Sequence, residues 1–178
     1  MKILVTGATG MVGAAIVNRL VEQHEVHSPV RNENRARSIL PPCRLLPGDV
    51  TDPSGLEAAV HGCEIVFHAA GLPEQWLKDV SIFEKLNVQR THNVLEAAKK
   101  AGVRRVVYTS PIDVFQADPH QSYDESIIDA VPEGTHYERS QKKADRLAVS
   151  HLEKWDGYRI PACGRAIWPG AVDIAGNQ

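Results

Sequence analysis

With 178 residues, 43% of them apolar and 24% charged, the chain has the material for a single hydrophobic core, and one domain over 1–178 is expected. Its formal net charge of -2 sets up no overall field toward nucleic acid or an anionic membrane surface, so neither is an expected partner. Three widely spaced cysteines (Cys43, Cys63, Cys163), an N-terminus broken early by glycine and the lack of any ~20-residue apolar run point away from a secreted disulfide scaffold or a membrane span. A cytoplasmic protein with reduced thiols is the expectation, and the eight histidines show no metal-ligand spacing.

Taken in order, "KILVT" (2–6) reads as a short strand that runs into a glycine loop, and "MVGAAIVNRLVEQ" has helical period. "EVHSPV" (25–30) is a second strand, weakened by Pro29, and "RNENRARSIL" a short polar helix. "CRLLPGDV" gives a third strand and its exit. In "TDPSGLEAAVHGC", Asp52 is an N-cap followed by proline at the first helical position. "EIVFHAAG" (64–71) is a fourth strand. Residues 79–101 carry one long helical pattern that stops at Gly102, and "VRRVVYTS" is a fifth strand. A loop rich in Pro, Asp and His leads to a helix over roughly 136–154, and "GYRIPACGRAIWPGAV" offers a weak sixth strand. This alternation implies an α/β doubly wound parallel sheet covered by helices on both faces.

The first strand–helix junction reads "TGATGMVG". Gly7, Gly10 and Gly13 permit a tight turn, close backbone approach to a pyrophosphate and close packing of helix on strand. The N–H groups and dipole at the helix start favour phosphate. Arg31 closes the second strand in "PVRN".

From this loop, "GDVTD", "VFHAAG", "LNVQRTHNVLEAAKKAGVRRVVYTS" and "YERS...AD", the chain resembles the extended branch of the short-chain dehydrogenase/reductase superfamily. That branch holds the NAD-dependent epimerases and dehydratases and the dihydroflavonol-reductase-like enzymes. The resemblance implies a Rossmann fold, NADP as cofactor with NAD as the alternative, and a small-molecule substrate. It places Thr9, Met11 and Val12 with the three glycines at the cofactor. Arg31 falls where an acidic residue would bind a ribose hydroxyl and an arginine accommodates a 2′-phosphate, a solvated surface residue being the alternative. Asp49 and Val50 fall beside the adenine, with a turn residue as the alternative for Asp49, and His68, Ala69, Ala70 and Gly71 fall in the loop that admits the cofactor, His68 itself as a packing or loop residue rather than a catalytic one. Asn87 falls in a supporting position or, alternatively, on an outward helix face, and Thr109 at the cofactor. It also implies a homodimer through helices 79–101 and 136–154.

The same resemblance makes Tyr137 the acid/base, with a lysine expected four residues on. Gln141 stands there instead. At ~100° per residue, Lys142 and Lys143 lie about 140° and 240° around the helix from Tyr137, off its face. Without a cation, a tyrosine of ordinary pKa near ~10 is only about 0.1% ionised at pH 7. Pro111 occupies the position of the family's catalytic Ser or Thr, leaving Thr109 and Ser110 as neighbouring hydroxyls. The family's substrate-binding lobe is largely missing from the sequence. Three readings stay open: an oxidoreductase or epimerase using Tyr137, Ser110 and Gln141; a dinucleotide-binding protein with impaired catalysis; and a fragment of a longer enzyme.

Overall fold

The computed structural model describes residues 1–111, 114 and 134–153. Five strands, β1 (Lys2–Thr6), β2 (Glu25–Val30), β3 (Arg44–Pro47), β4 (Ile65–His68) and β5 (Arg105–Tyr108), form one parallel sheet in the order β3-β2-β1-β4-β5. The helices are α1 (Met11–Leu20), α2 (Glu33–Ile39), α3 (Pro53–Val60), α4 (Ser81–Glu84), α5 (Arg90–Lys100) and α6 (His136–Glu153). The weak sixth strand and the loop before α6 lie outside the described residues.

β1 sits in the middle of the sheet and is buried on both faces, which is why its sequence is almost continuously apolar rather than alternating. Ile3 and Val5 pack with Val17, Val26 and Ala36 under α1 and α2. Leu4 faces the other way, into Leu56, Val66, Leu95 and Val106 under α3 and α5. The glycine loop is held by contact: Gly13, on the first turn of α1, comes so close to β1's exit that a Cβ there would lie 2.2 Å from the Gly7 carbonyl oxygen.

Pro29 lies in an internal strand, and the geometry explains why it is tolerated. The β1–β2 ladder ends at Leu4↔His27, while Val30 still accepts from Gly48 N at 3.1 Å on the β3 side. Alternation of bonding sides along a parallel strand turns Pro29's missing N–H toward β1, past the point where β1 has left the ladder. The expected capping also appears: the Asp52 carboxylate accepts from Ser54 N and Gly55 N, and Gly102 follows α5 with φ +67°.

The expected helix over 79–101 is corrected in one respect. It begins at Ser81, ends at Lys100 and contains a π-helical turn, Lys85–Gln89, between α4 and α5. The wide turn carries Asn87 into the interior, where it is 2% exposed, so the outward-facing alternative for Asn87 is excluded.

Gly13→Ala is expected to cost about 3 kcal/mol, since the new methyl meets backbone that cannot yield. A urea midpoint lowered by about 1 M or more, at unchanged m-value, is the readout. A midpoint equal to the parent's would show that the loop can shift away.

Candidate functional site

The strand order reverses between β1 and β4, so the loops leaving them diverge and open a crevice at the carboxyl ends of the strands. Two adjoining cavities of about 350 and 410 Å³ occupy it and share Ala69, Ala70, Gly71 and Pro73, which makes them the two ends of one cleft. Gly7 takes φ +69°, and a Cβ on it would meet the Ala69 carbonyl oxygen at 2.5 Å, which keeps the floor narrow. Gly10 caps α1 with no side chain over the helix start and no acidic residue in the first turn, leaving it open to an anion. Thr9 and Gly10 line the first end; Met11 and Val12 line the second and are exposed. Gly13 lines neither end and serves by packing.

The first end is basic. Asp49 accepts from Thr51 N and Thr51 Oγ1, both at 2.9 Å, and from Arg90 Nη2 at 3.4 Å; Arg31 Nε lies 3.7 Å away. Burial works to raise the Asp49 carboxyl, but the Thr51 hydrogen bonds and then the Arg90 and Arg31 guanidiniums outweigh it and hold it below the usual carboxylate range. Arg35 lines the same end, so three arginines line it while two of them, Arg31 and Arg90, contact the Asp49 carboxylate. Arg31 is 74% exposed in its side chain, free to turn toward a ligand, and Val50 closes the wall.

The second end holds Tyr137, Gln141, Thr109, Ser110 and Pro111. Tyr137 is half-buried edge-on to Phe83, with ring centroids 6.3 Å apart. Gln141 is buried on Tyr137's face of α6, and a Cβ on Gly71 would lie 3.8 Å from its Nε2. Lys143 turns away to Glu84, 2.8 Å from its carboxylate, and neither it nor Lys142 lines the cleft. Thr109 Oγ1 donates to the His68 carbonyl at 3.0 Å. Ser110 Oγ is buried at the cleft with no hydrogen-bond partner among the described residues. Such a hydroxyl needs a partner, which a water or a ligand in the cleft can supply.

His68 is a correction. Its ring is 1% exposed beneath the cleft, stacked on Tyr108 at 5.6 Å, and does not reach the cavity. The Thr91 hydroxyl gives its proton to the Asn87 carbonyl at 2.7 Å, so it accepts from His68 Nε2–H at 3.2 Å; Nδ1 then accepts from Thr6 Oγ1 at 2.7 Å. Burial, with Arg90 nearby, pushes the imidazole down to about 3 and keeps it neutral. Asn87 does not face the cleft with free groups either. Its Oδ1 accepts from Leu72 N at 2.7 Å and its Nδ2 donates to Ser140 Oγ at 2.9 Å, tying the loop after β4 to α6.

Arg35, Gly48, Pro73 and Arg90 were not anticipated at the cleft. For Arg90 a signal existed: it falls in register with Val94 and Ala97 on the buried stripe of α5, where a charge demands a partner. Among the described residues no helix is long and apolar enough to cross a membrane.

An open parallel sheet with a glycine loop, an uncapped helix start and a basic pocket at its switch point defines a dinucleotide-binding Rossmann domain. A family profile described as NAD(P)H-binding matches residues 7–155. The chain belongs to that NAD(P)H-binding family, within the extended short-chain dehydrogenase/reductase superfamily. It is 35% identical over 160 residues to a dihydroflavonol 4-reductase-type protein of Synechocystis sp., covering 84% of this chain and 45% of that one. It is 38% identical over 119 residues to the 3 beta-hydroxysteroid dehydrogenase/Delta 5-->4-isomerase of Mycobacterium tuberculosis, covering 61% and 31%. The fold matches the dTDP-glucose 4,6-dehydratase DesIV of Streptomyces venezuelae, solved with NAD and TYD bound, with a TM-score of 0.71 at 25% identity over 87% of this chain and 52% of that one. The chain thus spans about half the length of these relatives or less.

A histidine that is neutral in the fold at about 3 and titrates near ~6.5 when unfolded takes up its proton only on unfolding. Stability is therefore expected to fall as pH drops from about 6.5, by up to ~1.4 kcal/mol per pH unit from this group. Urea titrations at pH 7, 6 and 5 should show that slope in the parent and lose it in His68→Gln. Equal slopes in both proteins would assign the effect elsewhere.

Proposed function

We propose that the chain binds NADP(H) along this cleft and belongs to an oxidoreductase or epimerase-type protein that moves hydride at a carbonyl or sugar-nucleotide-like carbon. The observation that carries this reading is the single cleft with a basic end, a glycine-loop middle and a tyrosine–serine end. Its residues suit the cofactor. The α1 start and Gly7–Gly10 would hold the pyrophosphate, and Val50 and Asp49 the adenine side. Arg31 and Arg35 would pair with a 2′-phosphate, which favours NADP over NAD.

When bound, NADPH supplies a hydride at its nicotinamide. Tyr137 would hand its phenolic proton to the substrate oxygen, while Ser110 Oγ, otherwise unpartnered, hydrogen-bonds that same oxygen and takes over the task for which Pro111 has no hydroxyl. Gln141 can hydrogen-bond a ribose hydroxyl but brings no charge to favour tyrosinate, so proton transfer is slow. Relatives whose names denote dehydrogenation or reduction support a substrate bearing an alcohol or carbonyl.

Fluorescence titration of the full chain should show micromolar NADPH binding, at least tenfold tighter than NADH. Arg31→Ala together with Arg35→Ala should remove most of that preference while leaving NADH binding near its starting value. Absence of binding by either nucleotide would overturn the reading.

Gln141→Lys is expected to raise NADPH-dependent carbonyl reduction by about 10²-fold or more, the range of a restored general acid–base partner. Turnover unchanged from the parent, with NADPH binding intact, would instead favour a chain that binds the dinucleotide without using it.

A further inference from the structure

Histidines that show no ligand spacing along the sequence are brought together in the fold. His92 and Glu96 stand four residues apart on one face of α5, and His151 meets them from α6. One ligand atom from each, two imidazole nitrogens and a carboxylate oxygen, all lie within 4.8 Å of one another. His151 Nε2 is 2.9 Å from Glu96 Oε1, and the His92 and His151 rings stand edge-on with centroids 5.5 Å apart.

A His151–Glu96 ion pair would account for two members of this group and leave the third unexplained, for His92 makes no hydrogen bond among the described residues. The second feature is the back of the His151 ring. Its Nδ1 lies 3.0 Å from the Leu147 carbonyl oxygen one turn earlier in α6. A carbonyl there accepts the Nδ1–H and holds the ring with Nε2 facing the Glu96 carboxylate, the kind of contact that orients imidazoles on metal ions.

We propose that His92, Glu96 and His151 form a binding site for a divalent transition ion of the zinc class, clasping α6 to α5. Two imidazole nitrogens and one carboxylate suit Zn²⁺, Co²⁺ or Ni²⁺, whereas Mg²⁺ and Ca²⁺ take oxygen ligands. With metal bonds of about 2.0–2.2 Å, tetrahedral ligand atoms stand about 3.4 Å apart, so the His151–Glu96 pair at 2.9 Å must open by roughly 0.5 Å and the widest separation, within 4.8 Å, must close by up to about 1.4 Å. Rotation of the His92 and Glu96 side chains supplies that. Water fills the fourth position, and any proton on His151 Nε2 leaves to solvent as the metal–nitrogen bond forms. His151 lies ten residues past Gln141 on α6, about 15 Å along the helix, so the clasp is separate from the cleft.

The test uses the full chain after treatment with a chelator, titrated with ZnCl₂ by calorimetry and followed by thermal unfolding. One Zn²⁺ per chain with micromolar Kd is expected, with a heat that varies with the buffer's ionisation enthalpy because a proton is released. At 100-fold excess over Kd, Tm should rise by roughly 5–10 °C. Equimolar MgCl₂ should have no effect. His92→Gln should melt like the parent without zinc, yet bind Zn²⁺ at least tenfold more weakly. His61→Gln, an exposed histidine elsewhere, should bind it normally. The proposal is overturned by no zinc heat and no Tm shift, or by affinity that survives His92→Gln and His151→Gln undiminished. NADPH titration of the same proteins reads the cleft independently.

Discussion

One directional chain of hydrogen bonds holds the site in place. It runs from Thr6 at the end of β1 to His68 on β4, to Thr91 on α5, to the Asn87 carbonyl in the π-helical turn, and from the Asn87 amide to Ser140 on α6, which donates in turn to the Tyr137 carbonyl at 2.7 Å. Each hydroxyl has one proton, and each proton is committed in the same direction. A buried relay of this kind is costly to leave half-satisfied, so it specifies one arrangement of two strands and two helical segments. The tyrosine helix and the crevice between β1 and β4 are thereby positioned by the same residues.

The cleft distributes charge unequally. At one end two guanidiniums, Arg31 and Arg90, share a single carboxylate with Arg35 lining the same cavity, and Asp49 serves less as a free acceptor than as the group that holds Arg90 in a largely buried place. Placing an arginine there without a partner would leave an uncompensated charge, and the Thr51 hydrogen bonds lock the carboxylate in position to prevent that. At the other end the one side chain aligned with Tyr137 is an amide. Attraction for an anionic ligand is thus built into the arginine end, whereas the tyrosine end offers neutral hydrogen bonding.

Much of the fold could be read from local sequence because its signals are local. The double burial of β1 shows in "KILVT", the start of α3 in Asp52–Pro53, and the stop of α5 in Gly102. The π-helical turn had no such signal, since "KLNVQ" has the composition of any helix and its wide turn answers to Asn87 meeting Leu72 and Ser140, partners 15 and 53 residues away. Of the site, the glycine loop was legible from its place at the first strand–helix junction, and the Tyr137–Gln141 face through the family resemblance together with helical i, i+4 spacing. The packing reading of His68 fits its buried ring, whereas grouping it with the cofactor loop does not, because a strand end next to small residues looks the same whether its side chain points into the cleft or beneath it. The arginine cluster depends on contacts such as Arg90 with Asp49, across 41 residues, that no periodicity encodes.

Helix α6 carries Tyr137 in its first turn, at the cleft, and His151 near its far end, where it leans on α5. A stiff helix pinned at two distant points behaves as a lever: a tilt at the far end that moves His151 by an ångström displaces the phenol by a comparable amount in the opposite sense if the fulcrum lies near the small, buried Ala144. Reaction geometry tolerates errors well below that size. The grip of α5 on α6, remote from any reacting atom, is therefore a tuning point for alignment in the cleft.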